Sequence, residues 1–289
     1  MPDRRPVPVV ASTGLAPLLT GPTRTGTVVG TTRAAAYVHV PGVPRGVPSV
    51  VAIEAPRAVG LPCGVGLTRG APARLPGEVP VGAAVVVGAG RVAVAGTTLA
   101  VARWSRARPH LPTIDPVVLR RCVDTARARL PAARDAIARE VADRTADLAT
   151  VVSDGDLDGA VAVVGALCGL GPGSTPSGDD VVAGALAAGV LLATGPHASG
   201  PAAEWYARLG ARAVALAVGR TTTLSAALLG HAARGEVARP VADLLRALVG
   251  GGDVDERTQQ VRHGPRHLAP GRVAEQGGRQ RGGPTHGQG

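Results

Sequence analysis

From Gly26 to Trp104 the apolar positions come in short, Val-rich runs separated by Gly and Pro: Thr27 to Val29, Ala35 to Val40, Ser49 to Ala55, Ala83 to Val87, Arg91 to Val94 and Thr98 to Ala102. Runs of this length, bounded by turn-forming residues, predict strands. The stretch from Val85 to Val94, broken by Gly88-Ala89-Gly90, predicts a hairpin. Residues 1–24 are rich in Pro, Thr and Gly and read as an irregular start, so a β-rich domain, barrel- or sandwich-like, is expected over residues 25–110.

At Asp115-Pro116 the period changes. Asp115 is placed to cap a helix and Pro116 sits at its first position, where the missing N–H does no harm. Pro131 divides this helix from a second, which carries Ala133, Ile137, Val141 and Leu148 on one face and the pairs Asp135/Arg139 and Glu140/Arg144 on the other. Two strongly apolar helices follow, about Leu157 to Leu170 and Gly178 to Thr194. The uncharged span Val181 to Gly195 falls short of the ~20 residues that cross a bilayer, so it reads as a buried core helix. Gly184, Ala187, Ala188 and Gly189 would let a neighbouring backbone come close. Further helices are predicted over Ala202 to Val218, from Thr223 to before Gly235, and from Pro240 to Val249. The expected fold is therefore α+β: a β-rich domain, an α-helical domain over residues 111–252, and a tail, 253–289, too poor in apolar residues to build a core.

Composition narrows the chemistry. The 289 residues carry a formal charge of +10, and every basic residue is Arg. Without Lys there is no Schiff base, Walker-type P-loop or kinase lysine. The surplus lies in residues 1–110, where 12 Arg face three acidic residues. The arginines are scattered, no nucleic-acid-binding module accompanies them and Phe is absent, so no nucleic-acid partner is expected. Cys63, Cys122 and Cys168 form no C-x-x-C pair, which argues against a disulfide framework or structural zinc and fits a reducing cytoplasm. No export signal is read.

The most distinctive segment is Gly169-Leu170-Gly171-Pro172-Gly173-Ser174-Thr175-Pro176-Ser177-Gly178-Asp179-Asp180, set between the two apolar helices. Glycines ahead of a helix start expose amides that favour an anion, and Ser177 or Thr175 can cap the helix. Asp179 and Asp180 in the first turn oppose an anion. They can hold Mg²⁺, accept hydrogen bonds from a substrate amide, or only complement the helix dipole. The preceding segment is helical and the loop continues into Pro, so it is neither a dinucleotide fingerprint nor a P-loop. Asp154 to Gly159 opens like a calcium loop, but Gly165 stands where a bidentate Glu is required, leaving a helix cap.

A second cluster, Arg220-Thr221-Thr222-Thr223-Leu224-Ser225, precedes another helix. Its hydroxyls can cap or orient a small ligand, and Arg220 can offer a fork to a carboxylate. His231 lies in an apolar helix without a visible orienting partner and reads as a core histidine.

The string from Gly169 to Asp180, with the Thr-Thr-x-Leu-Ser element near Thr221 to Ser225, resembles a bacterial family labelled a domain of unknown function. One branch of it is the accessory subunit of the oxamate carbamoyltransferase of anaerobic allantoin degradation. The likeness spans about residues 25–250. It implies a protein acting beside larger carbamoyltransferase or synthetase-like subunits, as a possible transferase subunit. Carried over residue by residue, it picks out Gly171, Gly173, Thr175, Ser177, Gly178, Asp179 and Asp180, with Thr222 and Ser225 secondary. Taken with the residues' own reading, which adds Arg220 and Mg²⁺, Asp179 and Asp180 are the catalytic or Mg²⁺-binding candidates and the others face a small carboxylate, amide or phosphate substrate. The alternative is a non-catalytic assembly protein. The family continues with a further apolar helix and a Gly-His-Ser/Thr-Ser-Gly element, whereas this chain runs Gln259-Gln260-Val261-Arg262-His263, as an out-of-frame read after about Thr258 would produce.

Overall fold

The structure, a computed structural model, describes residues 5–68, 75–129, 135–195 and 200–252. Eight strands close into a barrel in the order β1-β5-β4-β3-β2-β6-β7-β8: β1 Val7–Ser12, β2 Arg24–Thr31, β3 Ala35–His39, β4 Val50–Glu54, β5 Gly64–Leu67, β6 Ala84–Gly88, β7 Arg91–Val94 and β8 Thr97–Ser105. Most pairings are antiparallel; β1 with β8 and β4 with β5 are parallel. The predicted hairpin is present, with Val85 opposite Val94 and Val87 opposite Val92. Beyond it the β7–β8 turn is only Ala95-Gly96, both at positive φ, as a twisted two-residue hairpin turn needs.

The start of the chain corrects the sequence reading. Val7–Ser12 is a strand, followed by a 3-10 turn Thr13–Leu15 and a short helix α1, Ala16–Leu19. β1 pairs with both β5 and β8 and so closes the barrel. Its pairing with β5 begins at Val9, beyond Pro8, which therefore withholds no amide from that ladder. Leu15, Leu18 and Leu19 join Val9, Val28, Val38, Val51, Ile53, Val65, Val85, Val87 and Leu99 in one apolar core. With Phe absent, β-branched side chains fill a barrel this narrow.

The helices are α2 Pro116–Ala128, α3 Ala136–Ser153, α4 Leu157–Leu167, α5 Ser177–Ala193, α6 Gly200–Ala217, α7 Thr223–Ala232 and α8 Arg239–Gly250. Asp115 caps α2 through the amides of Val117 and Val118. Asp135, expected to pair with Arg139, instead caps α3 through Ala138 N–H, whereas Glu140 and Arg144 do pair, at 3.2 Å. Asp156 caps α4, consistent with the would-be calcium loop being a helix start. Ile137 stands exposed rather than inward. Pro131, Ala133 and the tail 253–289 lie outside the described residues.

A second core gathers Leu148, Val164, Leu167, Val182, Leu186, Leu209, Ala213 and Leu229 from α3 to α7. Of the small residues expected to admit a neighbouring backbone, Gly189 admits a ring instead, since its Cβ would lie 2.0 Å from Tyr206 Cε1, and nothing lies within 4 Å of the Cβ position on Gly184. From α7, Leu224 joins the barrel core and Leu229 the helical core, so this helix ties the two together. No described helix is long and apolar enough to cross a membrane.

Candidate functional site

The segment between α4 and α5 is folded around one side chain. Asp179, in the first turn of α5, is 1% exposed. Its Oδ1 accepts Gly169 N–H at 2.8 Å, and its Oδ2 accepts the hydroxyls of Ser225, at 2.7 Å, and Thr221. An unpaired buried carboxylate would be strongly disfavoured, and these three donors supply its compensation. Alongside, Thr222 Oγ1 donates to the carbonyl of Ser174 at 2.6 Å and accepts Ser225 N–H at 3.0 Å, which makes Thr222 the N-cap of α7. The two motifs read separately from the sequence therefore meet at one node.

Glycine is required at three points around this node, one of them Gly171, at φ +111°, whose Cβ would fall 2.9 Å from Ser177 N. Gly178 lies so close to α4 that a Cβ would fall 2.1 Å from the Leu167 carbonyl oxygen. Gly169, at φ +80°, has its Cβ position 2.4 Å from the Arg220 carbonyl oxygen. Gly173 faces open space.

The remaining predicted residues surround the node without joining it. Neither Ser177 nor Thr175 caps α5; its N-cap is Pro176, whose carbonyl accepts the amides of Asp179 and Asp180. Ser177 and Asp180 are exposed and Thr175 is half-buried, and none of their side chains is hydrogen-bonded among the described residues. The Asp180 carboxyl is pushed up to about 6, first by desolvation and then by the neighbouring Asp179 charge. Arg220 is exposed beyond the end of α6, its guanidinium beside Gly165 of α4. Burial raises the Cys168 thiol, as does Asp179, while Arg220 opposes them. Among the described residues no three His, Cys, Asp or Glu side chains gather into a metal-binding group.

A second polar cluster was not foreseen. His231, 1% exposed, has Nδ1 2.6 Å from Glu236 Oε2, so the orienting partner that the sequence did not reveal is present. Arg234 donates to the same carboxylate oxygen at 2.8 Å. The imidazole packs against Gly14 of the barrel, whose Cβ would come within 3.0 Å of the ring, and its Nε2 is buried without a partner. Desolvation lowers the His231 pKa, against the hydrogen bond that the imidazole donates to Glu236. The sequence signal was there, but Glu236 lies past the helix end and beyond Gly235 at φ +71°, so helical spacing did not reveal it.

Two cavities lie elsewhere. One of about 310 Å³ is lined by the segment Arg108–Pro112 with Ile114, Leu191, Thr194 and Gly195. The other, about 70 Å³, sits between the barrel and α8. No residue of the 169–180 loop lines either one.

The molecule is thus an α+β protein, a closed eight-stranded barrel joined to a helical layer in which two loop motifs are knotted on one buried carboxylate. Residues 167–264 match the family described as oxamate carbamoyltransferase subunit AllH, which supports the family resemblance carried by the Gly169–Asp180 string. The match covers about a third of the chain and takes in the whole loop, Thr221 to Ser225 and the His231–Glu236 pair. No curated protein and no solved structure matches the chain.

Proposed function

We propose that the chain is a subunit of an oxamate carbamoyltransferase-type complex, and that the open side of the 169–180 loop contributes to its substrate site. The observation that carries this reading is the convergence of both motifs on Asp179 inside the stretch that matches the carbamoyltransferase subunit family. A loop tied at so many points is pre-organised, and pre-organised amides and carboxylates are what orient small polar substrates.

Roles divide by exposure. Asp179, Thr222 and Ser225 are positioning residues, since their polar atoms are spent on one another and on the Gly169 amide and Ser174 carbonyl. Gly178 allows the close approach of α5 to α4. Asp180, Ser177, Thr175 and the Gly171–Gly173 backbone remain for a ligand, with Arg220 at the margin as a carboxylate partner. Transfer of a carbamoyl group from its phosphate to an amide nitrogen breaks a C–O bond, forms a C–N bond and releases a proton from that nitrogen. Asp180, with a carboxyl near 6, suits an acceptor hydrogen-bonded to the amide. Larger carbamoyltransferase or synthetase-like subunits would supply the rest of the site, in the cytoplasm, a setting that three free, buried cysteines also suit. Mg²⁺ at Asp180 would have to draw its other ligands from substrate or partner, because both Asp179 oxygens are engaged.

The second reading, a non-catalytic assembly role, is favoured by the absence of loop residues from both described cavities. The test is carbamoyl transfer from carbamoyl phosphate to oxamate by the complex reconstituted with its larger subunits. Under the first reading Asp180→Asn keeps assembly and lowers turnover about a hundredfold. Unchanged turnover for Asp180→Asn and Ser177→Ala assigns the loop to assembly.

A further inference from the structure

Of the two cavities, the smaller is the richer in arginine. Three arginines, Arg106 after β8 and Arg239 and Arg246 of α8, border it together with Ser12 and Ser105, and no acidic residue lines it. The arrangement is built from both halves of the chain. Gly60 N–H and Leu61 N–H are held by the buried Glu54, the carbonyl of Gly60 accepts Arg239 N–H at 3.1 Å, and Val237 N–H reaches the carbonyl of Ala107 at 3.0 Å. These bonds set the start of α8 against the mouth of the joint.

The guanidinium of Arg239 is not loose in solvent. A Cβ on Gly60 would stand 3.1 to 3.3 Å from its Nη2, Cζ and Nε, so the group lies flat over the glycine, which can be there only because it lacks a side chain and sits at φ +75°. Burial raises the Glu54 carboxyl and the nearby Arg239 charge only opposes this, while its oxygens are occupied by the two turn amides. Arg246 gives one N–H to Asp243 at 2.9 Å and keeps its others. Arg106 makes no ion pair among the described residues. Ser12 is buried, and its Oγ accepts Gly14 N–H, which leaves its O–H free to donate.

A space of about 70 Å³ lined by three arginines and a serine matches the size and donor demand of a single oxyanion group. A nucleotide or a polymer backbone does not fit in that space. We propose that the joint between the barrel and α8 binds a small oxyanion, a phosphate or carboxylate group, through Arg106, Arg239, Arg246 and Ser12. The site is separate from the 169–180 loop, so the proposal stands independently of the carbamoyl-transfer reading. Occupation would hold α8 to the barrel, because the ligand bridges arginines from both.

The test uses the full chain and three anions at equal ionic strength: inorganic phosphate, oxalate and chloride. Thermal unfolding should show a saturable rise in Tm of several degrees with phosphate or oxalate and none with chloride, since only a ligand bound to the native state shifts the midpoint in this way. The larger response decides between a tetrahedral and a carboxylate ligand. Arg239→Gln and Arg106→Gln should each weaken the apparent affinity about tenfold or more, whereas Arg121→Gln, at an exposed position of α2, should leave it unchanged. Broadening of the phosphate ³¹P resonance by the native protein and not by the Arg106→Gln/Arg239→Gln double variant gives a readout independent of stability. The proposal is overturned if chloride reproduces the shift, or if the double variant binds phosphate as the native chain does.

Discussion

The barrel and the helical layer each bury one carboxylate, and they compensate it by different means. Glu54, at the end of β4, is held by backbone amides only six and seven residues ahead, at 2.9 Å from Gly60 and 3.2 Å from Leu61. It is a local clasp on the turn before β5. Asp179 is held by Gly169, Thr221 and Ser225, at sequence separations of 10, 42 and 46 residues. Only the second arrangement reports on tertiary structure, because segments far apart in the chain must all be in place before its full set of bonds can form. In Glu54 the desolvation outweighs the two amides and the nearby Arg239, so its carboxyl is raised. Burial of one charge in the same molecule thus buys, in one place, the shape of a turn and, in the other, the convergence of two sequence motifs.

That contrast predicts unequal costs. Asp179→Ala leaves a buried Ser225 hydroxyl, the Thr221 hydroxyl and the Gly169 amide without their acceptor and should destabilise the chain by about 3 kcal/mol or more in urea unfolding. Asp179→Asn keeps one acceptor oxygen and should recover part of the loss. Glu54→Ala frees two amides that lie nearer solvent, and the cost should be roughly 2 kcal/mol. Equal losses for the two alanine variants would erase the distinction between clasp and node.

The same distinction governs what the sequence disclosed. The Val-rich runs and glycine turns were enough to place six of the barrel strands, because each half-buried strand prints its own pattern. β1 was hidden by Pro6 and Pro8, which ordinarily argue against a strand but here precede the β5 ladder. β5, Gly64–Leu67, has glycine at two of its four positions and too little β propensity to stand out. Its Gly64 is needed because a Cβ would fall 2.1 Å from Glu54 Oε2, a constraint that exists only in the folded barrel. Asp115 and Asp156 could be read as caps because a cap is local. The partners of Asp179 could not be read, since nothing within ten residues announces Thr221 or Ser225. The 169–180 string was conspicuous for its composition, but which of its two aspartates is buried depends on the packing of α7 against α5.

The finest form of the comparison is between neighbours on the chain and concerns pH. Asp180 has an ordinary value of 3.8 and is raised to about 6 in the folded protein. Between these values the native state takes up a proton that the unfolded chain does not, so this residue makes the fold more stable as pH falls from about 6 to 3.8. His231 acts in the opposite sense. Its pKa is lowered from 6.5, so as pH falls below 6.5 the unfolded imidazole gains a proton ahead of the native one and stability declines. Unfolding midpoints followed from pH 7.5 down to 5 should therefore separate the two side chains. His231→Gln should flatten the acid-side loss of stability, and Asp180→Asn should make that loss steeper by removing the opposing term. The Asp180 effect should be the smallest of those predicted, because the carboxyl is exposed and solvent screens its interactions. A titration in which Asp180→Asn flattens the profile would mean that its carboxyl is not raised, and would remove the pKa match on which its proposed contact with the substrate amide depends.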